Sequence, residues 1–271
     1  MSRSIVFLSD FGYRNEWVGL CHTVINRIAP DSSIVDLSHG VSPLDVSAGA
    51  MLLADALAYI RDDAVVLAVV DPSVGRDRDL AVETADGRLL VGPDNGLLAP
   101  GWRSSGGPAR AVEITSPDVL LEPVAPSFHA RDVLAPAAAH LAAGKALEEL
   151  GDPVALDSLA DLQLPEPVVE PRKIQCEVID LNRFGNVQLN LRESHLAEAS
   201  LDGADQVSIQ AHAGAAVAQR VATYADLADG EWGLMVDPRG WLAVIRANPG
   251  NAAEGLGVGH GDLIWITEPT A

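Results

Sequence analysis

Two short apolar runs, each ended by an acid, set the tightest limit on what this chain can become. Residues 4–8 run into Ser9-Asp10-Phe11-Gly12, and residues 64–70 run into Asp71. Runs this brief and this apolar are expected to be strands covered on both faces. Between them, residues 16–28 carry Val18, Cys21, Val24, Ile25 and Ile28 at helical spacing, closed by Pro30. Ile34-Val35-Asp36-Leu37 is predicted as a second strand, and the Ala- and Leu-rich residues 45–60 as a second helix. Residues 80–84 and 88–91 form a predicted hairpin around Asp86-Gly87. A further helix is expected over residues 132–143, closing at Gly144. This alternation specifies an α/β fold with a mainly parallel sheet up to about residue 150. Ligands in such sheets sit beyond the carboxyl ends of the strands, which is where Asp10 and Asp71 fall.

The texture then changes. Pro165, Pro167 and Pro171 make residues 161–172 a predicted extended linker. Short strand-like runs follow at 174–181, 187–191, 206–209, 232–236, 241–245 and 262–267, with little helical period. They predict a small β-barrel or sandwich. The expected division is therefore an α/β catalytic domain over residues 1–160, a linker over 161–172 and a β-barrel domain over 173–271.

Charge and composition exclude several classes. The net charge is −20, and Lys145 and Lys173 are the lysines in the chain. Such a field repels a polyanion, so no nucleic-acid partner is expected. No apolar run approaches the ~18 residues of a membrane span, and the amino-terminal residues lack the features of a secretory signal, so no membrane partner is expected. Cys21 and Cys176 are the only cysteines. A pair this sparse suggests reduced, buried thiols and a cytoplasmic location. Gly144-Lys145 lacks the rest of a phosphate-binding loop, and the glycines of residues 255–261 lack dinucleotide spacing. The seven histidines show no contiguous metal-ligand spacing. No metal and no cofactor are expected.

Five segments carry polar residues that a plain surface loop does not need: Ser9-Asp10-Phe11-Gly12, residues 70–78 around Asp71, Gly92-Pro93-Asp94-Asn95-Gly96, Ser127-Phe128-His129-Ala130-Arg131-Asp132, and Asn182-Arg183-Phe184-Gly185-Asn186. Each alone has a structural explanation as a turn or a cap. Together, and in this order, they resemble the S-adenosyl-L-methionine hydroxide adenosyltransferases, formerly a domain of unknown function, which are related to the enzymes that make 5′-fluoro- and 5′-chloro-5′-deoxyadenosine. The resemblance implies a hydrolase that cleaves S-adenosyl-L-methionine at ribose C5′ to give adenosine and methionine. It also implies a homotrimer with sites between subunits. The family's catalytic trio falls on Asp71, Arg78 and His129. Its halide-using relatives have Tyr at the position of Asp71 and lack the Arg and His.

The chemistry fits these residue types. A sulfonium makes methionine a neutral leaving group, so the needs are a placed nucleophile, a dry pocket and a proton acceptor. Arg78 is expected to orient water and favour its hydroxide character, Asp71 to anchor that guanidinium, and His129 to exchange a proton near neutrality. The final proton acceptor is expected to be Asp71 or His129, or solvent if the pair acts by positioning alone. The resemblance further assigns Asp10 to the ribose hydroxyls, Asn186 to adenine, and Leu44, Phe128 and Phe184 to the nucleoside walls. Asn15 and Asn182 stand where the family commonly has Asp, with Glu16 and Asp180 as the acids nearby. Asp237-Pro238 replaces an Asn-Ser pair, leaving Arg239 for the substrate carboxylate, and Ala130 replaces a Gly. These departures motivate one alternative, cleavage of another 5′-activated adenosine; a second, from another class, is adenosine or S-adenosyl-L-methionine binding without turnover, against which the complete trio argues.

Overall fold

The computed structural model describes residues 2–269. The chain divides into two compact units that meet between Gln163 and Leu164. In the first, the strands are β1 (Ile5–Ser9), β2 (Ile34–Ser38), β3 (Val65–Val69), β4 (Asp79–Thr84), β5 (Leu89–Pro93), β6 (Pro108–Ile114) and β7 (Gly151–Pro153). Its helices are α1 (Trp17–Ile28), α2 (Val46–Ala56), α3 (Ala99–Ser104) and α4 (Ala135–Ala142), the last preceded by a π-helical turn over Ala130–Leu134.

These strands form one sheet in the order β2-β1-β3-β5-β4-β6-β7. It is parallel through β2, β1, β3 and β5, and antiparallel from β5 onward. Asp86-Gly87 does turn the β4–β5 hairpin, with Gly87 at φ 88. The sheet is therefore mixed, its parallel half being the part built from the alternating apolar runs. Both faces are covered. Val65, Leu67 and Val69 pack with α1 and α4, whereas Val66, Ala68 and Val70 pack with Ala50, Leu53, Leu97 and Trp102 on the other side. Such two-sided burial is why β3 tolerates no polar residue until Asp71. Asp45 caps α2 by accepting from the Ala48 N–H at 2.9 Å.

The second unit contains β8 (Val168–Glu170), β9 (Lys173–Leu181), β10 (Val187–Leu189), β11 (Gln206–Gln210), β12 (Ala215–Arg220), β13 (Trp232–Val236), β14 (Leu242–Arg246) and β15 (Leu263–Thr267), with short helices α5 (Glu193–Glu198) and α6 (Ala252–Leu256). The order β10-β14-β13-β12-β11-β15-β9 closes on itself because β10 also pairs with β9, giving a seven-stranded barrel with β8 appended. Val168–Glu170, within the stretch read as linker, is thus a strand whose partner is the start of β9. The barrel encloses Ile174, Val178, Val187, Ile209, Val244 and Ile264 among others. Cys21 and Cys176 are free and buried, one in each unit, and burial pushes both thiols up to about 12.

Candidate active site

Chain connectivity places the first candidate acids side by side. β1 and β3 are parallel neighbours in the register Ser9↔Val69, so Asp10 and Asp71 emerge together from their carboxyl ends. The chain runs from β1 to β2 on one side and returns to β3 on the other, leaving a crevice between β1 and β3. That crevice is a cavity of about 360 Å³ lined by Asp10, Phe11, Trp17, Leu44, Asp71, Phe128, His129 and Ala130, together with Pro43, Val69, Val74 and Ser127. Phe11, Trp17 and Phe128 form its aromatic wall, with edge-on contacts at 5.8, 6.4 and 6.5 Å. Leu44 adopts a left-handed φ of 65, and its N–H donates to Asp10 Oδ2 at 2.8 Å. A non-glycine residue held this way needs a compensating contact, and this bond to Asp10 supplies one.

His129 is oriented by a residue that sequence reasoning did not single out. Its Nδ1 lies 2.6 Å from Asp79 Oδ2, and the Asp79 side chain is only 8% exposed. Burial, with repulsion from Asp71 and Glu113, raises the Asp79 carboxyl to about 6 against the opposing pull of His129. The clue in the sequence is its place directly after Arg78, at the first residue of β4. Asp71 is also raised, first by burial and then by Asp77 and Asp10, while the Ser73 N–H and His129 oppose the shift. Its Oδ1 accepts from the Ser73 N–H at 2.9 Å. The segment bearing His129 is braced by Asp132, which takes hydrogen bonds from the Ala125 N–H at 2.9 Å and from Arg131 at 2.6 and 2.7 Å. Burial raises the Asp132 carboxyl, but these donors outweigh it and hold the group below its ordinary value.

Arg78 departs from expectation. Its guanidinium pairs with Asp94, at 2.9 Å from Nε and 2.5 Å from Nη2, and not with Asp71. It also donates to Ser158 Oγ and to the Ser158 carbonyl, at 3.3 and 2.8 Å. Asp94 sits at the end of β5, and its other oxygen accepts from the Ala160 N–H at 2.8 Å. An acid 5% exposed is the stronger claimant on a guanidinium than Asp71, which is already tied to its own turn. Asp71 and His129 therefore share the cavity wall, whereas Arg78 is not among its lining residues. Asn15 is exposed just before α1 and lines no part of it either.

The remaining candidates lie in the second unit. Phe184 and Asn186 line a cavity of about 540 Å³ with Tyr224, Leu227, Asp229 and Arg246. Asn186 Nδ2 donates to the Tyr224 hydroxyl at 2.5 Å, which identifies Tyr224 as a further member. Asn182 works within its own loop: its Oδ1 accepts from the N–H groups of Phe184 and Asn186 at 2.9 and 3.2 Å. Arg239 is held by Asp237 at 3.1 Å, by Asp180 at 3.5 Å and by Gln188 Oε1. In the structure Arg239, expected to meet a substrate carboxylate, is thus engaged by acids of its own unit.

A model of the S-adenosyl-L-methionine hydroxide adenosyltransferase N-terminal domain matches residues 5–151, and its C-terminal counterpart matches residues 176–265. The chain is 41% identical to an (R)-S-adenosyl-L-methionine hydrolase of Salinispora tropica, over 97% of each chain. It is 27% identical to a fluorinase of Nocardia brasiliensis, over 94% of this chain and 95% of the other. Among solved structures, an uncharacterized conserved protein from Thermotoga maritima superimposes with a TM-score of 0.88 at 33% identity, covering 97% of this chain and all of that one.

Proposed function

We propose that this chain, which belongs to the S-adenosyl-L-methionine hydroxide adenosyltransferase family, hydrolyses S-adenosyl-L-methionine at ribose C5′ to adenosine and L-methionine. The observation that carries the reading is one cavity walled by Asp10, Asp71, Phe128 and His129, with the imidazole of His129 tethered to Asp79. In the reaction a water oxygen bonds to C5′ as the C5′–S bond breaks. The sulfonium keeps the electron pair and becomes the neutral thioether of methionine. Ionised Asp79 accepts from His129 Nδ1–H, leaving Nε2 with its lone pair as the acceptor of the water's proton. Asp71 holds the water from the other side. Arg78, clamped by Asp94, supplies fixed positive charge on the same loop. The step asks nothing of a metal or cofactor.

Asp10 suits a ribose diol, since one carboxylate accepts from two hydroxyls. Asn186 with Tyr224 suits the edge of adenine, and Phe184 and Phe128 suit the faces of a nucleoside. Asn15, Asn182 and Arg239 are the weaker assignments, two of them already engaged within the second unit. The small molecule is the expected partner, in a homotrimer that completes each site between copies. The cytoplasmic reading is supported by two buried, free thiols. The decisive test is incubation of purified protein with S-adenosyl-L-methionine while adenosine and methionine are followed by chromatography. Equimolar products are expected, and none are expected from His129→Ala. No adenosine above a buffer blank removes the proposal, and sedimentation at a monomer's mass removes the trimer.

A further inference from the structure

His22, Asp36 and His39 come from three places in the first unit: the middle of α1, the edge strand β2, and the residue just beyond it. Their ligand atoms all lie within 4.8 Å of one another. His22 Nε2 is 2.8 Å and His39 Nε2 is 3.1 Å from the same oxygen, Asp36 Oδ1. His39 is 1% exposed, and its Nε2 completes no hydrogen bond among the described residues although it lies 3.1 Å from that oxygen. A buried imidazole nitrogen left this way costs free energy on the order of 1–3 kcal/mol. The helix and strand gain nothing from paying it unless something else occupies the space.

We propose that these three side chains form a site for a divalent first-row transition metal, of which zinc is the representative. Two imidazoles and one carboxylate are a standard donor set for such ions. Bonds of about 2.0–2.1 Å in tetrahedral geometry separate the donor atoms by roughly 3.3 Å, so the two distances to Asp36, 2.8 and 3.1 Å, need open by only a few tenths of an ångström. His39 Nδ1 lies 2.7 Å from the Oγ of fully buried Ser9, an arrangement that holds the ring with Nε2 facing Asp36. Asp36 is exposed, leaving a fourth position for water. The site lies behind the Asp10 loop, because Gly12 N–H donates to the His39 carbonyl at 2.7 Å. The role assigned is structural, outside the hydrolytic chemistry.

The test uses untagged full-length protein stripped with a chelator and titrated with zinc against a chromophoric zinc indicator. One equivalent per chain is expected, with a rise in melting temperature. In cobalt(II) titrations, visible absorption of a four-coordinate nitrogen–oxygen site is expected. His22→Ala, on a part-exposed helix face, should fold and bind zinc at least tenfold more weakly. Ser9→Ala, which keeps all three ligands, should weaken binding about 10–100-fold. Asp36→Asn is the alternative should His22→Ala prove unstable. The proposal is overturned if the wild type takes up no zinc, or if His22→Ala or Asp36→Asn binds it as tightly as the wild type.

Discussion

Asp79 is the residue whose chemistry differs most from its appearance in the sequence. Within Arg76-Asp77-Arg78-Asp79 nothing separates one acid from the other, and only the pairing of β4 between β5 and β6 turns Asp79 inward to His129. A single proton added to the pair, on either member, leaves Nε2 as a donor and ends its role as a base. Turnover is therefore expected to fall as pH drops through about 6. Asp79→Asn should lower kcat on the order of 10²-fold with KM nearly unchanged. It should also move that acidic limb to lower pH, because a proton on the pair loses its negative partner. The stability effect has the opposite sign. A carboxyl raised from 3.8 costs the fold stability once ionised, a penalty absent below 3.8 and complete above about 6. The variant should therefore melt higher than wild type at pH 8, by on the order of 1 kcal/mol, and equally at pH 4. Melting curves at both values and a kcat–pH profile check this. Arg78 and His129 were legible as a motif, but the partner of Arg78 was not, since Asp94 lies a whole hairpin away. Arg78→Gln, which removes the fixed positive charge yet can still hydrogen-bond Asp94, should keep an ordered fold but lose on the order of 10²-fold in kcat. A near-normal rate would make the residue a clamp only.

The elements that the sequence disclosed are those whose burial imposes a period. The apolar runs of β1 and β3, the face of α1 and the Asp-Gly hairpin all lie within a residue or two of expectation. β6 and β12 were missed for a shared reason. Pro108–Ile114 and Ala215–Arg220 are rich in Ala and Arg, which carry little strand preference, so cross-strand pairing decides their conformation. The helix expected over residues 132–143 begins instead as a π-helical turn, with His129 as its cap residue. Such turns insert a residue and re-aim the side chains beside them. The loop facing it has a matching constraint. Gly75 has φ +80, and a Cβ there would lie 2.8 Å from the Pro126 carbonyl and 3.8 Å from His129 Nε2. Gly75→Ala is expected to destabilise the first unit by about 1–3 kcal/mol and to lower kcat, by displacing the segment that presents His129. Unchanged melting and unchanged rate together would show that the two loops are not packed as described.

The bipartite build of the molecule was legible because its two halves bury apolar residues with different periods. The expected β-barrel is present, although the strand runs alone left barrel or sandwich open, since closure depends on β10 pairing with β9 and β14 at once, a relation that no local pattern encodes. Each half also encloses one thiol, and this gives the protein a pair of internal clocks. Cys21 sits on the buried face of α1 and Cys176 inside the barrel, both protonated up to about 12 and shielded from reagents. Alkylation by iodoacetamide can then proceed only through opening of the unit that holds each sulfur. Labelling followed by mass spectrometry across a denaturant series should yield two separate rates, Cys21 timing the α/β sheet and Cys176 timing the barrel. Rapid modification of either cysteine without denaturant would mean its enclosure is not as tight as drawn. A sequence with two cysteines thus reports, without any engineered probe, which half of the molecule lets go first.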